Sequence, residues 1–235
     1  MPNPFFTFKQ FTIHHDRCAM KVGTDGVLLG AWVNLSNSHH ILDIGTGTGL
    51  IALMMAQRCN DCNITAIDID TEAVSQANEN IQASPWKEKV MAIRQDIRTY
   101  KPNALFDTIV SNPPYFINSL KSSDTQRNTA RHTDSLSAED LMQKTAELLT
   151  EEGHFSFILP TEQIEELIKI SDRVGLYPSR RTNVITRPGL SPKRTLVEFC
   201  KKNTSYQTDE LVVELDRHVY SEEYIALTRE FYLKM

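Results

Sequence analysis

The segment Asp43-Ile-Gly45-Thr-Gly47-Thr-Gly49 limits what this chain can fold into more than any other, because an apolar run ends there and a helical segment starts with no linker. Residues 39–44 are short, β-branched and apolar, as in a buried strand, and Leu50-Ile-Ala-Leu-Met-Met-Ala-Gln-Arg58 opens a helix directly from the glycines. The pattern then recurs. Ile64-Thr-Ala-Ile-Asp68 reads as a second strand, and Thr71 can cap a helix over residues 72–83 that stops before Ser84-Pro85. Residues 90–95 make a third strand and Phe106-Asp-Thr-Ile-Val-Ser111 a fourth. Strands alternating with helices in this way predict an α/β fold, a parallel sheet covered on both faces.

The fourth strand must stop at Asn112-Pro113-Pro114, since two prolines cannot continue the ladder of a central strand. Residues 116–135 are polar and without strong periodicity, a length that in a compact domain marks a functional loop. A helix is expected from Ser137 to residue 152 with Gly153 as its stop, then a strand over 155–159 and a helix over 161–174 with Gly175 in the C′ position. Two runs without a helix between them, 176–185 and 195–201, predict an antiparallel hairpin that closes the sheet. At 235 residues the whole reads as one domain: an N-terminal extension over 1–38, a core over 39–203 and a C-terminal segment over 204–235.

Composition excludes several classes. With 40% hydrophobic residues, nine glycines and ten prolines, the chain is not collagen-like or disordered. No 18 apolar residues run together and the N-terminus lacks a basic stretch followed by an apolar one, so no membrane contact and a cytoplasmic location are expected. Of the four cysteines, Cys59 and Cys62 have redox-like spacing but no second pair and no histidine at finger spacing; no chemistry and no metal site are assigned.

The glycine loop is where missing Cβ atoms let a ligand approach the backbone, so Gly45, Gly47 and Gly49, with Asp43 ahead of them, are candidates to bind a nucleotide-like cofactor. The spacing is not the dinucleotide G-x-G-x-x-G, and no Lys-Ser/Thr follows as in a P-loop. Asp68, about 20 residues on at a strand end, suits ribose hydroxyls, with Asp70 competing for that role and for the helix cap. Asp96 ends the third strand and is a candidate for an amino group on the cofactor's adenine, or an ordinary turn residue.

Asn112-Pro113-Pro114-Tyr115 lies at the C-terminal end of the fourth strand, where open α/β sheets place ligands. With the glycine loop and the acidic strand ends in this order, the sequence resembles the class I S-adenosylmethionine-dependent methyltransferases, in particular the N-P-P-Y branch that methylates exocyclic or amide nitrogens. The resemblance implies a Rossmann-like, mostly parallel seven-stranded sheet with S-adenosylmethionine as cofactor. Asn112, Pro113, Pro114 and Tyr115 are then the catalytic set. An adenine amine is a poor nucleophile because its lone pair is delocalised into the ring. The Asn112 side-chain carbonyl and the Pro113 backbone carbonyl can each accept one amino hydrogen and localise that pair, while Tyr115 stacks on the base. By resemblance Thr24, with Gly23 and Asp25, lies over the methionine end of the cofactor; the alternative for Thr24 is a helix cap before residues 27–32.

The chain carries a formal charge of −5, yet residues 178–202 hold seven Lys or Arg and one acid. Arg180, Arg181, Arg187, Lys193 and Arg194 from this stretch are candidate polyanion contacts. At whole-chain level Phe8-Lys-Gln-Phe11, the segment from His15 to Gly26, the Asn112 tetrapeptide and the C-terminal residues 224–235 are similar to the bacterial tRNA1(Val) adenine-N6 methyltransferases, which modify adenine 37 beside the anticodon. That implies tRNA, through its anticodon stem-loop, as partner and a monomeric enzyme. Competing expectations are an N-P-P-Y enzyme acting on rRNA guanine N2 or on a protein glutamine, and a non-catalytic nucleotide- or RNA-binding module.

Overall fold

The computed structural model describes residues 3–18, 20–113, 136–203 and 205–234; Pro114, Tyr115 and the polar stretch 116–135 lie outside them. The sheet grows from the glycine loop outwards. Strand β3 (His40–Ile44) enters the loop and α2 (Leu50–Arg58) leaves it, followed by β4 (Asn63–Asp68), α3 (Thr71–Gln82), β5 (Val90–Arg94) and β6 (Phe106–Ser111). After the tetrapeptide come α4 (Ala138–Leu148), β7 (Leu149–Pro160), α5 (Ile164–Arg173) and the antiparallel pair β8 (Tyr177–Ile185) and β9 (Arg194–Cys200). Before β3 stand a small hairpin, β1 (Phe5–Thr7) with β2 (Thr12–His14), and the helix α1 (Thr24–Trp32). The C-terminal residues add β10 (Gln207–Val212), the short pair β11 (Glu214–Asp216) and β12 (Val219–Tyr220), and α6 (Glu222–Thr228).

Neighbours run β10-β8-β9-β7-β6-β3-β4-β5, an eight-stranded sheet in which β5, β4, β3, β6 and β7 are parallel and β9 is antiparallel to both its neighbours. The sequence predicts seven strands. The eighth, β10, pairs parallel with β8 at the edge, where only Leu211 is buried, so its polar residues give no apolar signal to read. Because the parallel strands all point one way, Ile44, Asp68, Arg94 and Ser111 end on the same edge. That edge carries the candidate site.

One apolar cluster, with α1, α2, α3 and the N-terminal hairpin, covers one face; a second, with α4 and α5, covers the other. Helix α1 packs so tightly on α2 that a Cβ on Gly30 would lie 2.8 Å from Met54 Sδ. Cations hold its C-terminus, as the helix dipole favours: Arg58 donates to the carbonyls of Gly30 and Val33, and Arg180 donates to that of Trp32 while its guanidinium stacks 4.1 Å over the indole.

Three local expectations differ from the structure. Asp70, not Thr71, caps α3, accepting from Glu72 N at 2.9 Å. Helix α4 is capped by Ser137 as expected but ends at Leu148, and β7 runs straight through Gly153. There the strand shifts register against β6, and a Cβ on Gly153 would lie 2.8 Å from both Leu149 and Thr150 side-chain atoms; the glycine answers a close approach within a strand, not a helix stop. Cys59 and Cys62, assigned no chemistry from sequence, are bonded to one another between α2 and β4. Gly175 does end α5, at φ +75°, with its N–H bonded to Asp172 O and that of Leu176 to Ser171 O, a Schellman motif. Among the described residues no helix is long and apolar enough to cross a membrane.

Candidate active site

The glycine loop is shaped by three left-handed residues, with φ of +70°, +55° and +81° at Gly45, Gly47 and Gly49. A Cβ on Gly45 or Gly47 would meet nothing within 4 Å, so the outer side of the loop is open space. Its inner side is tied down: Gly45 N and Thr46 N both donate to Ile67 O, and Gly47 N donates to Asp68 Oδ2 at 2.9 Å. Asp68 Oδ1 accepts from Asp70 N at 3.0 Å. Two backbone N–H groups thus fix this half-buried carboxylate beside the loop, and a carboxylate has lone pairs to spare for further donors.

Asp43 plays a different part. It is fully buried; Thr46 Oγ1 donates to Oδ2 at 2.7 Å, and Oδ1 has no partner among the described residues. Burial pushes its carboxyl up to about 7, against smaller opposing contributions from Thr46 and the backbone of Ala52. The folded protein therefore keeps a proton that the unfolded chain, with an ordinary carboxyl, has already lost. Stability is expected to fall as pH rises from about 4 to 7 and then level off. Asp43→Asn should flatten that part of the curve, as measured by melting temperature from pH 4 to 8; parallel curves for both proteins would contradict the assignment.

Asn112 is brought to the loop by register. Ile44 pairs with Ser111, and the buried Ser111 hydroxyl donates to Ile44 O at 2.9 Å, so the residue after β6 stands beside the residue after β3, one strand spacing or about 4.8 Å away. Asn112 is half-buried and Pro113 buried. On the other side Gly26 of α1 borders the amide: a Cβ there would lie 3.9 Å from Asn112 Nδ2, an ordinary contact distance. The structure thereby brings Asp43, Gly45, Gly47, Gly49, Asp68, Asn112 and Pro113 to one edge. Pro114 and Tyr115 lie outside the described residues.

The remaining candidates are Asp96, Thr24 and Asp25. Asp96 caps a short 3-10 turn and grips Arg98 through both oxygens, which holds its carboxyl below the usual range. Thr24 is the first residue of α1, not its cap; Gly23 stands at that position with no side-chain bond. Asp25 in the same turn pairs with Arg194 Nε at 2.8 Å.

Some of the site escaped sequence reasoning. Ile69, between Asp68 and Asp70, is 55% exposed, an apolar side chain left uncovered at the strand ends. Its signal was an isoleucine immediately after the acidic residue. Two buried amides one turn apart on α3 tether the preceding loop: Gln76 donates to Asp16 and accepts from Arg17 N, while Asn80 accepts from His14 N and donates to His14 O and to Thr48 O of the glycine loop. Amides on the inward face of an otherwise amphipathic helix were the readable sign.

The cationic stretch does not form one surface. The antiparallel hairpin puts its two ends together at one edge of the sheet and its tip at the other, and successive residues along β8 point to opposite faces. Arg180 lies on Trp32 on one face; Arg181, on the other, pairs with Glu165 at 2.9 Å. Lys201 and Lys202 pair with Glu151 and Glu152 at the far edge. Only Arg187, Lys193 and Arg194 stand at the edge of the glycine loop, where Arg187 pairs with Glu214 at 3.3 Å.

Comparison with known proteins identifies the family of the chain. The methyltransferase small domain family matches residues 20–172. A protein of Phocaeicola vulgatus named tRNA1(Val) (adenine(37)-N6)-methyltransferase is 56% identical over 235 residues, covering 100% of both chains, and one of Bacteroides thetaiotaomicron with the same name is 52% identical over 236 residues, again covering 100% of both. Among solved structures, a protein of Agrobacterium tumefaciens described as a predicted O-methyltransferase aligns with TM-score 0.68 at 19% identity, over 88% of this chain and 96% of its own. A glycopeptide N-methyltransferase complexed with S-adenosylmethionine aligns with TM-score 0.58 at 13% identity, over 77% and 100%. These two share the fold. Full-length identity above one half places the sequence more narrowly: the chain belongs to the tRNA1(Val) (adenine(37)-N6)-methyltransferase family and carries its methyltransferase small domain.

Proposed function

We propose that this chain transfers the methyl group of S-adenosylmethionine to the N6 amine of adenine 37 in tRNA1(Val). The observation that supports the reading is the Ile44–Ser111 register, which brings residue 112 next to the glycine loop, in a chain 56% identical to its Phocaeicola vulgatus relative along its whole length.

The residues present suit the cofactor. Open space outside Gly45 and Gly47 admits a ligand against the backbone, and the fixed Asp68 carboxylate faces donors such as ribose hydroxyls. Ile69 offers an apolar surface for the adenine ring. Asp96 keeps its oxygens partly engaged by Arg98, so a role toward the adenine amine rests on lone pairs beyond that ion pair. Thr24 stands close to the methionine end in this reading. The bound cofactor supplies an electrophilic methyl on a sulfonium centre.

The protein's own part is to prepare the nucleophile. Asn112 Oδ1 and Pro113 O each accept one hydrogen of the amine, which favours a pyramidal nitrogen with its lone pair directed at the loop. Tyr115, two residues beyond Pro113, stacks on the base once it has left its own stack. The amine becomes acidic as it gains the methyl group, so no strong base is needed to take its proton. Arg187, Lys193 and Arg194 contact phosphates of the anticodon stem-loop.

The test is nucleoside analysis of tRNA1(Val) from cells lacking the protein, with methyl transfer by the purified enzyme to the same tRNA. N6-methyladenosine at position 37 is expected to disappear in the first and be restored in the second. Label appearing instead in N2-methylguanosine or in protein would favour the other acceptors, and no transfer at all would favour a binding module.

A further inference from the structure

The loop between β8 and β9 is a rigid projection that neither the cofactor site nor the amine-binding carbonyls use. Its tip, Arg187-Pro188-Gly189-Leu190, is a type II turn: proline stands second, Gly189 third with φ +79°, and Leu190 N donates to Arg187 O at 3.2 Å. Lys193 N donates to Val184 O and Thr161 N to Lys193 O, which lock the base of the loop to the sheet. A second proline, Pro192, stiffens the return. On this turn Leu190 is 51% exposed, a large apolar side chain held out on a segment otherwise polar or cationic.

Topology sets where the tip stands. From β6 the sheet runs to β7 and then β9, two spacings or about 10 Å from Asn112. Strand β7 continues three residues past the level of Ser111, from Phe157 to Pro160, before Pro160 pairs with Arg194. At about 3.3 Å per residue Arg194, the foot of the loop, stands roughly 7 Å above the level of Asn112, and the tip lies beyond it. Arg194, at its foot, is bonded to Asp25 of α1, whose next residue, Gly26, borders Asn112. The tip therefore stands on the same edge as Asn112, to one side of it and above it.

We propose that Leu190 is a wedge for the RNA stem-loop: it fills the gap in the base stack left when the target adenine turns into the site. This rests on the reading of the chain as an RNA adenine methyltransferase. An apolar side chain inserted between bases replaces lost stacking contacts and so offsets the cost of unstacking. Charge agrees with a polyanion as occupant. Arg187 is exposed although paired with Glu214, and Lys193, also exposed, has no side-chain partner among the described residues.

The experiment compares wild type with Leu190→Ala and Leu190→Phe on two substrates, a stem-loop with a stacked target adenine and a short unstructured oligonucleotide with the same adenine. On the stem-loop, Leu190→Ala is expected to lower kcat/KM about 10-fold or more and to lose the fluorescence rise of 2-aminopurine placed at the target, with Leu190→Phe restoring both. On the unstructured substrate the three proteins are expected to be equal. If wild type methylates the stem-loop and Leu190→Ala equals it in rate and fluorescence, the wedge is wrong and the function stands. If Leu190→Ala is weaker on both substrates by the same factor, Leu190 is a general contact and the wedge is again wrong. If wild type methylates neither, the functional reading itself has failed.

Discussion

Replacing Asn112 with alanine is expected to slow methyl transfer to adenine by about 10²-fold or more, the scale of losing one transition-state hydrogen-bond partner, while S-adenosylmethionine binds almost as before. The separation follows from position. Asn112 stands after β6, and the backbone and carboxylate groups proposed to face the cofactor come from the ends of β3 and β4. Truncating the amide removes an acceptor for the amine and leaves Gly47 and Asp68 in place. Single-turnover rates together with calorimetric titration of the cofactor measure the two quantities. An unchanged rate would remove Asn112 from the chemistry, and an equal loss of cofactor affinity would make it a structural residue of the loop.

The second large effect is expected at Asp68, and with the opposite signature. Asp68→Ala removes a carboxylate that accepts from Gly47 N and Asp70 N and that is proposed to accept from ribose as well. Hydrogen bonds to a charged group are worth roughly 1.5–3 kcal/mol, so the dissociation constant of S-adenosylmethionine should rise by about 10- to 100-fold. The rate at saturating cofactor should change far less. Asp68→Asn, which keeps an acceptor oxygen, should lie between alanine and wild type. Cofactor affinity unaltered in Asp68→Ala would show that the carboxylate only shapes the loop.

What could be read from the sequence depended on whether the signal was local. The glycine loop, the helix that opens from it and the strand cut short by two prolines are local events; α2 and β6 have the bounds the residues suggested, Leu50–Arg58 and Phe106–Ser111. Gly153 looked like a helix stop because glycine often is one, but its reason is a tertiary close approach to Leu149 and Thr150, invisible in one dimension. Edge strand β10 carried no apolar run because one side of it meets solvent. The cationic stretch failed for a geometric reason: Arg180 and Arg181 are adjacent in sequence and opposite in space, one on an indole, the other on Glu165. The Asp25–Arg194 pair joins residues 169 positions apart and had no sequence signature at all.

The most direct test of the Asn112-Pro113 chemistry is a crystal structure with S-adenosylhomocysteine and an RNA stem-loop containing the target adenine. The amine of that base is predicted to lie within hydrogen-bond distance of both Asn112 Oδ1 and Pro113 O, with the cofactor's sulfur on its open side. An adenine bound with its amine turned toward solvent, or held by other groups while Asn112 points away, would contradict it.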